Sequence, residues 1–351
     1  MYKISVIIPI FNSESTIERA ILSFLNQKWD GDFFDDLELI LVDNCSTDKT
    51  KEIIDQYSKK YSNVHAYSTE KNSGSPSKPR NIGINKSNSK YLMFMDSDDA
   101  YCEDMCQKLY ETIIREKVDV VSCNFYNVFS SGCQKVFYYK EIPEYEVKGD
   151  SMFLDSCNSM LSSNIVVWNK IFDKSLITKN NIKFPYKVSE DIFFCWEFFS
   201  HMDKMLFLTD YFGVKRYMYS ESYSHSADVN NVINTIRSTR ELDEKLVNEY
   251  IDFNKYPKFR FSFSASSIEF ILMRISFLTE TESIRLCLNE LYEYEKEILF
   301  DNSLNNKLYK FINFFILKNK LSFATFIFNL MNFVKNSKVL STIIKKLIAI
   351  K

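Results

Sequence analysis

The sequence is poor in glycine and proline, with 6 of each among 351 residues. This scarcity excludes collagen-like and proline-rich architectures. Hydrophobic residues make up 46% of the chain and charged residues 26%, which excludes a wholly disordered protein. The length allows two domains, or one large domain with an appendage. Aromatic residues reach 16%, and we interpret most of them as core.

Metal-binding cysteine and histidine patterns are also missing. The chain has 3 His and 8 Cys, and no two Cys form a CxxC pair, so no zinc-type cluster is expected. No apolar run reaches the length of a membrane span, and no small-residue cleavage site follows the apolar N-terminus, so we expect no signal peptide. Thiols without a disulfide framework predict a cytoplasmic protein.

Acidic residues are absent after Asp301, whereas nine Lys follow it. The net charge of −2 argues against a nucleic-acid-binding protein. The asymmetry instead predicts an anionic partner for residues 302–351, which we call the basic tail. Two interpretations are open: peripheral binding to the anionic inner face of the plasma membrane, which we favour, or a packed helical cap with a solvated Lys face.

The first 125 residues alternate between strand and helix patterns. Ser15 to Glu18 reads as a helix-capping box, and Ser46 as the cap of a later helix. Such alternation predicts a mostly parallel sheet covered by helices on both faces. The sequence from about residue 228 is mostly helical, with Ile268, Ile271, Leu272, Ile275 and Leu278 on one face. We therefore predict an α/β domain over residues 1–227 and a mainly helical domain over 228–351.

Three polar segments follow predicted strands, where ligands of open α/β sheets bind. They are Pro9–Asn12, Asp43–Asp48 and Asp96–Asp99. The third segment places three carboxylates within four residues. Such a cluster repels itself unless a cation neutralises it, and oxygen ligands suit Mg²⁺ or Mn²⁺. The alternative is a solvated, Asp-rich turn.

Taken together, these segments resemble family 2 glycosyltransferases of the GT-A fold. The resemblance rests on SVIIPIFNSESTIERAILSFLNQ, LELILVDNCSTDKT, PRNIGI and YLMFMDSDD in that order, and on VSEDIFF at 188–194. It covers roughly residues 3–225 and implies a Rossmann-like sheet flanked by helices. It also implies an inverting, metal-dependent transfer of a sugar from a UDP-sugar. The Ser73–Arg80 stretch most resembles members that glycosylate teichoic-acid-like or capsular polymers.

The resemblance implies which residues bind the donor. Pro9 and Phe11 would line the uracil pocket, with Phe11 in place of the more usual Tyr. Asp43 would accept a hydrogen bond from the uracil N3–H. Arg80 would reach the base or the diphosphate, with Asn72 as a weaker neighbour.

The same resemblance implies the metal and catalytic residues. Asp96 would contact the ribose and the Mn²⁺ or Mg²⁺ ion, and Asp98 would bind the metal. Asp99 would bear on the sugar or the acceptor. Asp191 would be the catalytic base that deprotonates the acceptor hydroxyl, with Glu190 beside it. Glu190 and Asp191 also fit a favourable acidic helix N-terminus, and both interpretations can hold together.

Other residues fit ordinary structural roles better. Trp168 suits core packing more than sugar stacking, and His225 suits a surface position more than a phosphate or metal contact. We expect Arg216 to lie on a strand surface. We interpret His65 and His201 as structural, and the cysteines as small core residues, with Cys45 alone near the predicted site.

The predicted function is addition of a sugar to a cell-envelope polysaccharide, a teichoic acid or a lipid-linked glycan. One alternative is a nucleotidyltransferase, but Phe11–Glu14 lacks the glycine-rich phosphate loop which that chemistry needs. Another is a non-catalytic glycan-binding scaffold, which Asp96, Asp98 and Asp191 argue against. These alternatives predict different outcomes when purified protein is given UDP-sugars.

Overall fold

A computed structural model describes residues 1–136, 146–148, 166–185, 190–218, 228–245, 268 and 271–295, with scattered positions between 316 and 329. The chain divides into two compact units, Met1–Tyr219 and Ser220–Lys351. Residues 219–227 are outside the described part, so the predicted boundary at 227/228 stays a prediction. No helix within the described ranges is long and apolar enough to cross a membrane.

The first unit is built on one mixed sheet, whose described strands are β1 Tyr2–Ile10, β2 Leu37–Asp43, β3 Val64–Ser68, β4 Ser89–Phe94, β5 Ala100–Tyr101, β6 Val120–Phe129, β7 Gly132–Val136, β8 Glu146–Lys148, β9 Lys170–Asp173 and β10 Lys204–Tyr217. The strand order is β3-β2-β1-β4-β9-β6-β10-β5, with β7 beside β6 and β8 beside β10. The helices are α1 Ile17–Leu25, α2 Phe33–Asp36, α3 Thr50–Lys60, α4 Ser77–Lys86, α5 Met105–Glu116, α6 Lys174–Lys179 and α7 Glu190–His201.

The predicted parallel sheet is confirmed in its first half. Strands β1, β2, β3 and β4 pair in parallel. The short β9 then inserts antiparallel between β4 and β6. Because β1, β2 and β4 run the same way, their carboxyl ends meet at one edge of the sheet, where the predicted polar segments lie.

Helices cover β1 on both faces, which explains its continuous apolar sequence. Val6, Ile8 and Ile10 pack in one buried cluster with residues of α1 and α5. On the other face, Ile7 lies against Gly83 of α4. The β1 strand is therefore core on both sides.

Two predicted helix caps are wrong. Helix α1 begins after Thr16 and α3 after Lys49, and neither has a side-chain cap hydrogen bond. Ser46 instead donates to Asp43 and accepts from the Asn12 N–H. Tertiary contacts at the strand ends thus compete successfully with local capping.

Gly83 lets α4 approach β1 closely. A Cβ at this position would lie 2.3 Å from Ile7 Cγ2. We expect Gly83→Ala to lower the free energy of unfolding by ~1–3 kcal/mol, because overpacking outweighs the better helix propensity of alanine. Urea unfolding measures this, with Asn85→Ala at an exposed position of α4 as the control. Equal or higher stability of Gly83→Ala would contradict the tight contact.

The second unit is helical where it is described, as predicted. Its helices include α8 Val229–Lys245 and α9 Thr281–Glu295, and residues 271–275 are also helical. The predicted apolar face from Ile268 to Leu278 is confirmed, since its five members are buried in one cluster with residues of α8 and α9. Most of the basic tail lies outside the described residues.

Candidate functional site

The loops after β1 and β2 are tied together at the carboxyl edge of the sheet. Asn12 donates its N–H to Ser46 Oγ at 2.9 Å and accepts from the Thr47 N–H at 2.8 Å. Asn12 and Cys45 adopt left-handed backbone conformations, with φ of 47° and 60°. Tight turns of this kind hold both loops close to the strand ends.

The predicted donor-binding residues lie at this edge but differ in exposure. Pro9 is buried in β1, whereas Phe11 is 44% exposed just beyond it. Asp43 is buried and accepts from the Ser46 N–H at 3.1 Å and the Ser46 Oγ–H at 2.5 Å. Asn72 is exposed and accepts from Asn44 Nδ2 at 3.1 Å. Phe11 thus offers an accessible ring, and Asp43 a carboxylate held rigid by its own turn.

Asn44, the residue after Asp43, anchors the loop that follows β3. Its side chain is buried, and its Oδ1 accepts from the Ser73 N–H at 3.0 Å and from the Thr69 hydroxyl at 3.2 Å. An amide can both donate and accept, whereas a second carboxylate could only accept. Asn44 therefore ties the Thr69–Ser75 loop to the end of β2.

The acidic segment after β4 gathers three carboxylates. One oxygen each of Asp96, Asp98 and Asp99 lies within 4.8 Å of the others. Asp99 is buried, and its Oδ1 accepts from the Tyr217 N–H at 3.0 Å. Burial and the neighbouring Asp96 raise the pKa of Asp98 to about 6. Burial, Asp96 and Asp98 raise the pKa of Asp99 well above its ordinary value.

This cluster fits a divalent cation. Burial first, and the neighbouring carboxylates second, raise the pKa values of Asp98 and Asp99, and a bound cation would oppose both effects. An all-oxygen donor set suits Mg²⁺ or Mn²⁺ rather than a softer metal. Asp96 and Asp98 would hold the ion as predicted, with Asp99 close enough to assist.

Arg80 links the acidic segment after β4 to the start of α7. Its Nη2 donates to Asp96 at 2.9 Å, and its Nη1 donates to Glu190 at 2.8 Å and to Asp191 at 2.5 Å. The Arg80 side chain is only 3% exposed. Burial opposes its charge, but the carboxylates of Asp191, Asp96 and Glu190 outweigh burial and raise its pKa. The predicted contact of Arg80 with the donor stays a prediction, whereas its role in joining the acids is observed.

Asp191 is poised to exchange a proton near neutral pH. Burial raises its pKa to about 7, with Arg80 acting in the opposite direction and Glu190 and Asp96 adding to the rise. Its side chain keeps 20% exposure. Asp191 and Glu190 are the first residues of α7, so the acidic helix N-terminus is confirmed too. The adjoining Val188 and Ser189 lie outside the described residues.

Residues of α1 and β10 support the acidic segment, and the sequence patterns did not predict these contacts. The Arg19 guanidinium lies 3.7 Å from the Tyr217 ring centroid and donates to the Asp98 carbonyl. The charges of Arg19 and Arg216 lower the pKa of Asp98, partly offsetting its burial. Arg216 is half-buried and acts on the site, beyond the strand-surface role expected of it. No sequence signal pairs residues this far apart.

The remaining singled-out residues that the structure describes make structural contacts. Trp168 is 5% exposed and packs edge-on against Phe125, which confirms core packing. His65 lies 3.7 Å from the buried Glu38, and His201 is exposed at the end of α7. Cys45 donates to the Thr69 carbonyl at 3.0 Å. His225 lies outside the described residues.

Comparison with known proteins matches the part of the chain that contains most of this site. Residues 5–175 match the family described as Glycosyl transferase family 2. The chain is 33% identical over 218 residues to cholesterol galactosyltransferase of Borreliella burgdorferi, covering 60% of this chain and 59% of that protein. It is 34% identical to poly(ribitol-phosphate) beta-N-acetylglucosaminyltransferase TarP of Staphylococcus aureus, covering 60% and 62%. The matched region thus spans less than two thirds of either relative.

The fold is also found in a solved structure. The crystal structure of S. aureus TarS 1–349 in complex with UDP-GlcNAc superposes with a TM-score of 0.72 at 21% identity, covering 92% of this chain and 89% of that one. At 21% identity, the structural similarity establishes the fold alone. It confirms the predicted fold class.

Proposed function

Because residues 5–175 belong to glycosyl transferase family 2, as their motifs predicted, we propose that the chain is an inverting glycosyltransferase that uses a UDP-sugar. The observation that carries the proposal is the Arg80 bridge. One buried guanidinium contacts both Asp96, on the donor side, and Asp191, the proposed base. Donor and acceptor chemistry would therefore meet at a single rigid cluster.

Asp191 acts as the general base in this proposal. An acceptor hydroxyl must lose its proton as it attacks the anomeric carbon, and a carboxylate with a pKa near the working pH takes that proton well. Its pKa, raised by burial to about 7, fits this task. Glu190 shares Arg80 with Asp191 and holds the guanidinium in place.

The donor is held by the loops after β1, β2 and β4. Phe11 offers a ring for the uracil and Asp43 an acceptor for its N3–H. Asp96 and Asp98 would hold Mn²⁺ or Mg²⁺. Such an ion offsets the negative charge that develops on the departing UDP.

The proposed metal requirement gives a direct prediction. Asp98→Asn removes one charged ligand, and we expect transfer to fall by at least ~10²-fold while the fold persists. Wild-type protein should lose transfer in EDTA and regain it with added Mn²⁺ or Mg²⁺. Asp48→Asn, an acidic residue of the β2 loop outside the cluster, is the control, and calorimetric Mn²⁺ binding is the second measurement. Unchanged turnover in EDTA would overturn the metal assignment.

The acceptor is proposed to be a cell-envelope glycan, in particular a polyol-phosphate polymer or a lipid-linked glycan. Support comes from the names of the relatives, which include a poly(ribitol-phosphate) transferase and a cholesterol galactosyltransferase. The test measures UDP release from UDP-N-acetylglucosamine, UDP-glucose and UDP-galactose, with and without poly(ribitol phosphate), and with GDP-mannose as the control.

The expected result is acceptor-stimulated UDP release from one UDP-sugar and a β-linked product from the α-configured donor. Thermal shift gives an independent reading, because a ligand at 100 times its Kd stabilises the fold by ~2.7 kcal/mol. Retention of the α configuration would contradict the inverting mechanism. No UDP release and no thermal shift with any UDP-sugar would contradict the proposed donor.

The basic tail is proposed to bind anionic membrane from the cytoplasmic side, on its sequence alone. Each Lys near an anionic surface contributes ~1 kcal/mol, so four would contribute ~4 kcal/mol before salt screening. We expect sedimentation with phosphatidylglycerol vesicles at low salt and release at high salt. Replacing Lys345, Lys346 and Lys351 with Gln should weaken binding, whereas the same change at Lys59, Lys60 and Lys86 should not. Equal effects of the two triple variants would favour the helical cap.

A further inference from the structure

Lys170 is a buried cation that the proposed mechanism does not use. It begins β9 and its side chain is fully buried. Its Nζ donates to the Val166 carbonyl at 2.5 Å and to Asn169 Oδ1 at 2.8 Å. Lysine is almost never fully buried unless its charge is satisfied. The Lys170 ammonium group is therefore held by acceptors of the 166–169 segment.

The Val166 carbonyl belongs to the same peptide group as the Val167 N–H. A backbone hydrogen bond from Val167 lowers the pKa of Asp191. Lys170 therefore binds the oxygen side of this peptide, while Asp191 accepts from its nitrogen side. Hydrogen bonds linked through one polar group strengthen each other.

The peptide is held from two further directions. Cys195 lies one helical turn after Asp191 on α7, and its Sγ approaches the Val166 carbonyl at 3.8 Å. Asn169 is fastened to β6, since its Nδ2 donates to the Cys123 carbonyl at 2.7 Å and its carbonyl accepts from the Cys123 N–H at 3.1 Å. The segment 166–169 is thus a rigid link between β6, β9 and the start of α7.

We propose that Lys170 is a positioning residue that fixes the 166–167 peptide and so aims and polarises the N–H that holds the Asp191 carboxylate. This inference rests on the proposed function of Asp191 as base. Arg80 holds that carboxylate from α4, and Lys170 holds it through the peptide from β9. Asp191 faces Arg80, Glu190 and Asp96 as well, so its orientation depends on all of these charges together.

The test compares Lys170→Met with Lys174→Met in the full chain. Lys174 is a matched control, because it is a partly buried cation that donates to the Ser87 carbonyl at 2.6 Å. Transfer is measured with UDP-N-acetylglucosamine and poly(ribitol phosphate), or with whichever of the tested UDP-sugars is active. We expect Lys170→Met to lower kcat at least ~10-fold without changing the KM for donor or the Kd of UDP, since misplacing a catalytic group by about 1 Å can cost ~10²-fold. Lys174→Met should keep the wild-type kcat.

A double-mutant cycle with Asp191→Asn separates positioning from general stability. If Lys170 acts through Asp191, adding Lys170→Met to Asp191→Asn should change the residual rate less than twofold. Lys170→Gln keeps a donor nitrogen and should recover part of the lost kcat. If Lys170→Met does not fold, Lys170→Gln takes its place in every comparison. A wild-type kcat in the Lys170 variants, a loss of UDP affinity, or an equal loss in the Asp191→Asn background would each overturn the inference. Inactive wild-type protein would instead reject the proposed function.

Discussion

Asp191→Asn is expected to lower the kcat of sugar transfer by ~10²–10⁴-fold while leaving the affinity for the UDP-sugar unchanged, because a general base contributes to the transition state of the attacking hydroxyl and not to donor binding. The substitution keeps the shape of the side chain and its place beside Arg80. Steady-state kinetics give kcat, and calorimetry with UDP gives the affinity.

Glu190→Gln is the matched control for that substitution. Glu190 binds the same Arg80 nitrogen and is similarly buried, with 14% of its side chain exposed against 20% for Asp191. If only Asp191 is the base, Glu190→Gln should lower kcat far less. An Asp191→Asn protein that loses donor affinity and keeps its rate at saturation would make Asp191 a donor contact instead.

The pH dependence of the wild type follows from the same group. A general base must be deprotonated, and burial raises the pKa of Asp191 to about 7. Transfer should therefore fall as the pH drops below about 7 and level off above it. The residual rate of Asp191→Asn should lack this step. A flat wild-type profile between pH 5.5 and pH 8, values that bracket this raised pKa, would contradict the assignment.

The acids of this site were predictable because each lies at or near the end of a buried strand or at the start of a helix. Asp43 is the last residue of the buried strand β2, and Asp96 lies two residues beyond the buried strand β4. Parallel strands bring their carboxyl ends to one edge. Asp191 stands at the start of an apolar helix. Local sequence carries these signals, since strand burial and helix starts both leave short-range patterns.

The contacts that the cations of the site make were not predictable in the same way. Arg80 was expected at the site from the family resemblance, but no sequence pattern predicted the helix α4 that residues 77–86 form. That helix exists because it packs on β1 through Gly83, a contact that no local pattern reveals. Lys170 belongs to a strand that inserts antiparallel between β4 and β6, far from both in sequence. Pairings of this kind depend on tertiary packing, which overrides local propensity.

Arg80→Met is expected to destabilise the first unit strongly. It removes a buried cation and leaves Asp96, Glu190 and Asp191 facing one another without compensation. Breaking a buried ion pair by removing one partner costs ~3–5 kcal/mol. Arg80→Lys retains the charge but loses the fork that spans the acids, so its loss should be smaller. Lys51→Met, which breaks an exposed pair with Asp55, is the control and should leave stability nearly unchanged.

The loss in Arg80→Met should also depend on pH in a defined direction. Without Arg80, the raised pKa of Asp191 rises further, because burial and the like charges of Glu190 and Asp96 are no longer opposed. A carboxylate whose pKa is higher in the folded than in the unfolded state binds more protons when folded, so stability falls as the pH rises through these values. The difference in unfolding free energy between wild type and Arg80→Met should therefore be smallest near pH 4, close to the ordinary pKa of a carboxylate, and grow toward pH 8. Urea unfolding at a series of pH values measures it. A difference that is constant with pH would mean that Arg80 stabilises the fold by packing against Phe184, 5.1 Å from its guanidinium, and not by joining the acids.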